Sequence, residues 1–446
     1  MMKRVSYLCL LVSILAFPLD GVATDSVPTG KHIPHTRKKA SPDPRPGEAL
    51  AVHLRTIVEA TQLRNSKLRY GDKRTNKLEL EPTARLSVRA FKGRPVSFFG
   101  ELEFIQKKKR ETGKEAKTTD TLNFNQAWLQ FDESLIPDVD LRLGRWLLRD
   151  EREWLFDENI DGVYAKYDGK VETEFVAGQV NYWQRDLLDS STRGNKTNIL
   201  ALIPRYDLSQ HWLVGGYAVY QNGRATKEDR QLNMGLRSWA SPRQDFSHWL
   251  DVSTVRGQKD RQQLRGYAAD SGVTLRLKEM PLEPRFTLGY AWGSADKDSD
   301  ERVSRRYRQT GLQGNEATFG GMAKFKIYGD TLAPELTNIH IITAGTGIDL
   351  GKQASLDVVY HYYRQHRLAA LVDDTTALEA KYDRQTTKKL GSALDVIVGW
   401  RPHQRVRLEG GMAWFAPSSR FHAGSSRHSP RAGNASSWWL KAEVRF

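Results

Sequence analysis

The residues with most to offer chemically are arginines and lysines that recur in the polar phase of alternating segments. Arg55, Arg85, Arg89, Arg142, Arg237, Arg276, Arg285, Arg364, Arg401, Arg405, Arg407, Lys441 and Arg445 make up this set, and Arg145, Arg149 and Arg152 extend it at and beyond one segment's end. A guanidinium stays charged, and its planar fork meets a carboxylate at two points. Cations gathered on one face of a sheet repel unless carboxylates or an anionic solute sit among them. Glu79, Glu81, Glu101, Asp140, Asp395, Glu409 and Glu443 offset part of the charge. Lining a pore, such a set selects anions. A polymeric carboxylate would need many modest contacts rather than one deep site, because tight binding stops transport. For any single arginine, bracing against a wall carboxylate is an equal alternative; for the group, a bias toward anions is the expectation.

No catalytic constellation competes with that reading. His361 and His366 are five residues apart on one alternating segment and so face opposite sides. Ser355, Ser392 and Asp395 complete no triad with them, which sets aside a hydrolase. Gly320-Gly321 and Gly410-Gly411 lack the lysine and hydroxyl of a phosphate loop. No cofactor or metal is expected, and His32 and His35 read as part of a solvated tail. The net charge of +15 raises the question of nucleic acid. That charge is spread along the chain rather than gathered on one recognition element, and an export signal precedes it, so no nucleic-acid partner is expected. Arg302, Arg305, Arg306 and Arg308 cluster in the longest connection. Lipopolysaccharide phosphates or a passing polyanion could dock there, but their first reading is a solvated loop face.

What must position the cations is a long series of strands. In Ser437–Phe446, Trp438, Leu440, Ala442, Val444 and Phe446 share one face, while Trp439, Lys441, Glu443 and Arg445 share the other. The same period of two runs through Ala51–Gln62, Leu78–Phe91, Val96–Lys107 and Val139–Leu147, and less clearly through Thr121–Phe131. Hairpins follow at Gly162–Tyr167 with Val171–Tyr182, Asn198–Tyr206 with Trp212–Gln221, and Gln231–Ala240 with Phe246–Arg256. Three more join Leu264–Leu277 to Arg285–Ser294, Ile339–Leu350 to Ala354–His366, and Gly391–Arg401 to Arg405–Phe415. Short links such as Lys92–Pro95, Asp168–Lys170, Gly351–Gln353 and Pro402–Gln404 alternate with long ones. The long set includes Leu63–Lys77, Lys108–Asp120, Arg149–Asp161, Trp183–Thr197, Ala295–Asn338, Arg367–Leu390 and Ala416–Ser436. Short periplasmic turns alternating with long outside loops, on an even strand count, predict a monomeric, all-β transmembrane antiparallel β-barrel of about eighteen strands, with both termini periplasmic. Its outward face meets outer-membrane lipid, and the terminal Phe446 resembles the aromatic residue that outer-membrane assembly machinery reads.

Residues 1–23 read as a signal peptide: Lys3 and Arg4, an apolar run Val5–Leu19, then small residues at Gly21-Val22-Ala23. Cys9, the single cysteine, lies inside it, so disulfides and thiol chemistry are excluded from the mature chain. Residues 24–48 form a basic, proline-rich periplasmic leader with Pro28, Pro34, Pro42, Pro44 and Pro46, and residues 49–446 the barrel.

Several stretches resemble the alginate export outer-membrane porins. They are Leu141-Arg-Leu-Gly-Arg145 with Arg149–Asp161, Tyr307-Arg-Gln-Thr-Gly-Leu-Gln313, Phe319-Gly-Gly-Met-Ala-Lys-Phe-Lys-Ile-Tyr-Gly329 and Pro334-Glu-Leu-Thr-Asn338. The resemblance implies an eighteen-stranded barrel with an electropositive constriction, passing the uronate polymer alginate out of the cell. It also implies a periplasmic lipoprotein that assists within a secretion complex. One departure is the very short turn Pro402–Gln404, where the family's namesake carries a longer plugging turn. A pore has no direction of its own, so uptake of oligouronates or other small anions stands as the alternative.

Overall fold

Strict alternation of apolar and polar residues gives each segment one face for lipid and one for a lumen, and only a closed sheet leaves no edge unpaired in a membrane. The structure, a computed structural model, describes residues 50–69, 74–180, 186–189, 196–223, 229–259, 262–296, 302–368, 376–379, 387–419 and 432–446. Among them are eighteen long strands. They are β1 (Leu50–Arg64), β2 (Lys77–Ala90), β3 (Val96–Glu111), β4 (Lys117–Ile136), β5 (Val139–Arg149), β6 (Asp157–Tyr167), β7 (Glu172–Val180), β8 (Thr197–Ser209) and β9 (Trp212–Gly223), followed by β10 (Arg230–Ala240), β11 (Phe246–Lys259), β12 (Gln262–Arg276), β13 (Arg285–Gly293), β14 (Ile339–Leu350), β15 (Ala354–Gln365), β16 (Lys389–His403), β17 (Val406–Pro417) and β18 (Ala435–Arg445). Each pairs antiparallel with the next, and β18 closes on β1, with Arg55 opposite Arg445, Val58 opposite Ala442 and Gln62 opposite Trp438. The expected barrel and its strand number are both found.

The outer face is apolar and exposed: Leu54, Leu86, Leu102, Leu202, Leu236, Leu288 and Leu440 project from it. The short turns, among them 137–138, 210–211 and 404–405, lie together on one rim with Leu50 and Phe446. That is the periplasmic rim of an outer-membrane barrel. The expected signal peptide and leader lie outside the described residues.

Two expectations about the connections change. The loop expected over Lys108–Asp120 is mostly strand, since β3 runs to Glu111 and β4 starts at Lys117. A bulge at Glu101/Leu102, opposite Asn125, shifts the phase of β4, which is why its alternation was hard to read. More consequential for function, two long connections expected outside the barrel run into it. These are 150–156, between β5 and β6, and, from the connection between β13 and β14, the described residues 302–338. Trp154, Leu155, Phe156, Tyr307, Phe319, Phe325, Tyr328 and Leu336 are buried there, giving the lumen a hydrophobic core of its own.

Candidate functional site

The inward loops are held by charge and by aromatic packing. Asp150 caps the 150–156 turn, accepting the backbone N–H groups of Trp154 (3.3 Å), Leu155 (2.9 Å) and Phe156 (2.8 Å). It also meets Arg237 of β10 at 3.1 Å, whose other nitrogens reach Glu151 (3.3 Å) and Asp251 (3.1 Å). Asp270 of β12 accepts from Arg152, Tyr328 (each 2.9 Å) and the Trp249 indole (2.8 Å). Arg152 lies 4.2 Å over the Trp249 ring, and Phe319 stacks on that indole at 5.4 Å.

The two loops also grip each other. Asp157 N–H donates to Leu312 (2.6 Å), Asn315 N–H to Glu153 (2.8 Å), and Trp154 stacks on Tyr307. Within the longer loop, Glu316–Ala317 pairs antiparallel with Phe325–Lys326. It then follows the wall: Met322 N–H donates to Ser355 (2.8 Å), the Trp439 indole to Asp330 (2.8 Å), and Thr331 bonds Ser437 (2.8 Å). Glycine permits this approach. A Cβ on Gly321 would overlap the Asp357 carboxylate, and one on Gly399 would come 2.8 Å from the Ala323 nitrogen. Between loop and wall a cleft of about 180 Å3 remains, lined in part by Arg152, Trp239, Trp249, Phe319 and Lys324.

The sequence-derived cations separate into three groups. Arg145, Arg152, Arg237, Arg276 and Arg285 are buried anchors. Arg145, in the phase of Leu143, pairs with Asp161 at 2.8 Å. Arg276 holds Asp349 (2.7 Å) and the Gly320 carbonyl (2.6 Å), and Arg285 holds Asp357 (2.9 Å) and Asp349. These brace the wall and seat the loops rather than line a water-filled passage.

The second group faces the remaining lumen: Arg55, Arg85, Arg89, Arg142, Arg149, Arg407, Lys441 and Arg445, with Arg401 and Arg405 at the short-turn rim. Arg142 bonds Gln130 (2.7 Å) and lies 4.5 Å over Trp128, and Arg89 lies over Phe99 at 5.5 Å. Arg55 approaches Glu101 at 3.9 Å, and Lys441 approaches Glu59 at 3.7 Å. Arg149 meets Asp157 (2.5 Å) and Glu153 (3.2 Å). Arg401 has Arg407, Arg243, Glu409 and Arg445 as its charged neighbours, and the Arg405 carbonyl accepts the Arg445 N–H at 2.9 Å.

Arg364 forms a third, outward and exposed group, and there the structure corrects the expectation, as it does for Arg145, which shares the outward phase of Leu143. It stands opposite His340 and shares the outward phase of Tyr360 and Tyr362, while His361, Tyr363 and Gln365 point inward. The lumen side of β15 is covered by loop residues, Gly329 lying against Tyr363 and His361, so it buries Val359 and Tyr363 among its polar residues and hydropathy does not tell the two faces apart.

Within the lumen-facing group the pairs are layered. Arg445 keeps 33% of its side chain exposed over Glu443 at 8%; the figures are 24% over 7% for Arg407 and Glu409, and 27% over 6% for Arg85 and Glu103. Sequence reasoning missed further members. Lys107 and Lys109 bond Glu79 at 2.9 and 3.0 Å, and continuing the β3 alternation past Lys107 would have found the second. Lys324 bonds the buried Glu153 (2.7 Å) and Lys326 bonds Glu316 (2.8 Å); both sit on the inward loop, where no period marks them. Burial pushes the Glu153 carboxyl up, against Lys324 and Arg149. Burial also opposes the Glu316 carboxylate, but Lys326, Lys441 and Lys324 outweigh it and hold that pKa below the ordinary range.

The profile of the alginate export family matches residues 49–434. The chain belongs to the alginate export family. Among curated relatives of this alginate export chain, the alginate production protein AlgE of Pseudomonas syringae pv. tomato is 23% identical over 370 residues, covering 66% of this chain and 71% of that protein. AlgE of Azotobacter vinelandii is 28% identical over 120 residues, 26% of this chain and 23% of that protein. Among solved structures, Pseudomonas aeruginosa OccK7 (OpdD) superposes with a TM-score of 0.55 at 13% identity, covering 89% of this chain and 99% of that one. OccK2 (OpdF) of the same organism, solved with glucuronate, gives 0.53 at 12% identity, with 90% and 98% covered. This alginate export protein is thus an outer-membrane barrel with the fold of the porins.

Proposed function

We propose that the barrel passes alginate outward across the outer membrane, through the passage left between the inward loops and the wall formed by β17, β18 and β1–β5. No bond is made or broken; guidance is electrostatic and passive. The observation that carries the reading is the layering of the wall pairs, cation heads toward water and carboxylates beneath. A passing uronate meets guanidinium and ammonium donors first, while the wall as a whole stays nearly compensated. Contacts are then many and individually weak, which suits a polymer that must leave as well as enter. The family and the relatives named for alginate production favour export over uptake. A periplasmic lipoprotein of the secretion complex would meet the short-turn rim, near Arg401 and Arg405.

Single-channel recording in a planar bilayer tests this. Anion selectivity with concentration-dependent block by uronate oligomers is expected. Cation selectivity with no block by those oligomers would overturn the reading.

A further inference from the structure

The outward side of β10–β16 carries its charges at one end only. Arg230 on β10, Arg256 on β11, Arg265 on β12, Arg364 on β15 and Lys389 on β16 are all in the outward phase, near the long-loop rim. Among the described residues, no aspartate or glutamate occupies an outward position of these seven strands. At the other end of the same strands, outward positions hold Phe246, Phe286 and Trp400.

Two pairs of these cations are direct cross-strand neighbours: Arg256 stands opposite Arg265, and Arg364 opposite Lys389. Like charges in that position destabilise a sheet unless something neutralises them. Among the described residues, no carboxylate pairs with any of these four cations. Arg256 donates to the Val255 carbonyl (3.0 Å) and the Tyr267 hydroxyl (2.6 Å), and Arg265 to Gln263 (3.1 Å). Arg364 and Lys389 are exposed, with no ion pair among the described residues. The lumen differs, since Arg85, Arg407 and Arg445 there lie over glutamates.

The surroundings fix the depth. Toward mid-barrel from Arg256 and Arg265 comes Tyr267, its ring 4.9 Å from the Arg256 guanidinium, then Val252 and Val273. From Arg364, with His340 opposite it, come Tyr362 and Tyr290 at the level of Ile342, then Tyr360 at the level of Leu288 and Leu394, and Val358 and Val396 beyond; Tyr290 and His340 bond at 2.7 Å. Apolar residues, then aromatic rings, then cations is the order met on crossing from hydrocarbon to headgroups. The cations therefore stand at the phosphate level of the outer leaflet.

We propose that this arc binds the phosphate groups of lipid A, the outer-leaflet glycolipid, with the Arg256/Arg265 and Arg364/Lys389 pairs each taking a phosphate. Two cations flanking one phosphate convert a repulsive pair into charge-assisted hydrogen bonds. Phosphate binding here would orient the barrel and fasten one side of it to the leaflet, without touching the passage.

The full-length protein, stripped of lipid in detergent, would be offered bisphosphorylated lipid A, its fully dephosphorylated form, or a uronate oligomer, with bound ligand counted by native mass spectrometry. Lipid A should be retained and the dephosphorylated form lost. At about one cation's worth of surface attraction per residue removed, the R256Q/R265Q and R364Q/K389Q variants should each lower retention by roughly tenfold or more. R256K/R265K should restore it, and channel conductance should not change in any of the folded variants. Equal retention of both lipid forms, unchanged retention in both Gln variants, or displacement of lipid A by the uronate oligomer would overturn the proposal, the last by assigning the arc to the polymer.

Discussion

Replacing Arg55, Arg407 and Arg445 together by glutamine tests whether the permeating ion feels the exposed layer of the wall. All three crowd one carboxylate, Glu443, and Arg55 and Arg445 face each other across the β1–β18 seam. For an ion about 7 Å from each head in water, one unit charge contributes about 0.6 kcal/mol. Screening at a Debye length of about 10 Å roughly halves that. Three charges then amount to about 1 kcal/mol, or about a fivefold change in local anion concentration near 0.1 M salt. At about 1 M salt, where the Debye length is about 3 Å, the change should almost vanish. The assay is the reversal potential of single channels under a KCl gradient, measured at both salt levels. The triple variant should move toward cations at low salt. The counterpart E101Q/E409Q/E443Q removes the buried layer and should move toward anions. An unchanged reversal potential in the arginine variant at low salt, or a shift of both variants in the same direction, would refute the layered-wall reasoning.

Asp150→Asn weakens the cap on three backbone N–H groups and its pairing with Arg237; charge-assisted hydrogen bonds are worth about 1.5–3 kcal/mol each, so the 150–156 loop should loosen, read as larger or noisier single-channel currents with the barrel still folded. Gly321→Val should unseat the longer loop from β15, because the new side chain overlaps the Asp357 carboxylate; a rise in conductance and new protease cleavage within 302–338 are expected, and native-like values for both would contradict the packing. The raised Glu153 carboxyl gains its proton at a higher pH than an ordinary glutamate. As pH falls toward the ordinary glutamate range, Glu153 neutralises early and leaves Lys324 and Arg149 less compensated, so anion selectivity should rise on mild acidification. Glu153→Gln should already show the higher selectivity at neutral pH and lose that part of the pH response.

The period of two made the wall readable. Val52, Leu54 and Thr56 against His53, Arg55 and Ile57 are enough to orient β1, and the last strand carries the same signal to Phe446. The inward loops were not readable in this way. Tyr307, Phe319, Phe325 and Leu336 pack with no regular spacing, and nothing local distinguishes a long loop that stays in water from one that turns into the lumen. Their burial then blurs the wall they cover: Val359 and Tyr363 face inward on β15, so apolar character stops marking lipid, and Arg364 is assigned to the wrong side. The roles of individual arginines were hidden for a related reason. Arg237 and Arg407 look alike in sequence, yet one is enclosed by three carboxylates and the other lies open above one.

The contacts between the longer loop and β18 bear on how the molecule is put together. Asp330 and Thr331 reach Trp439 and Ser437, on the strand whose other edge must zip onto β1. β18 therefore has two supports, the edge of β1 and the interior loop. Loop contacts and seam pairing act on the same strand and favour the same register for it. The closing joint of the cylinder is thereby supported from the interior as well as along its edge.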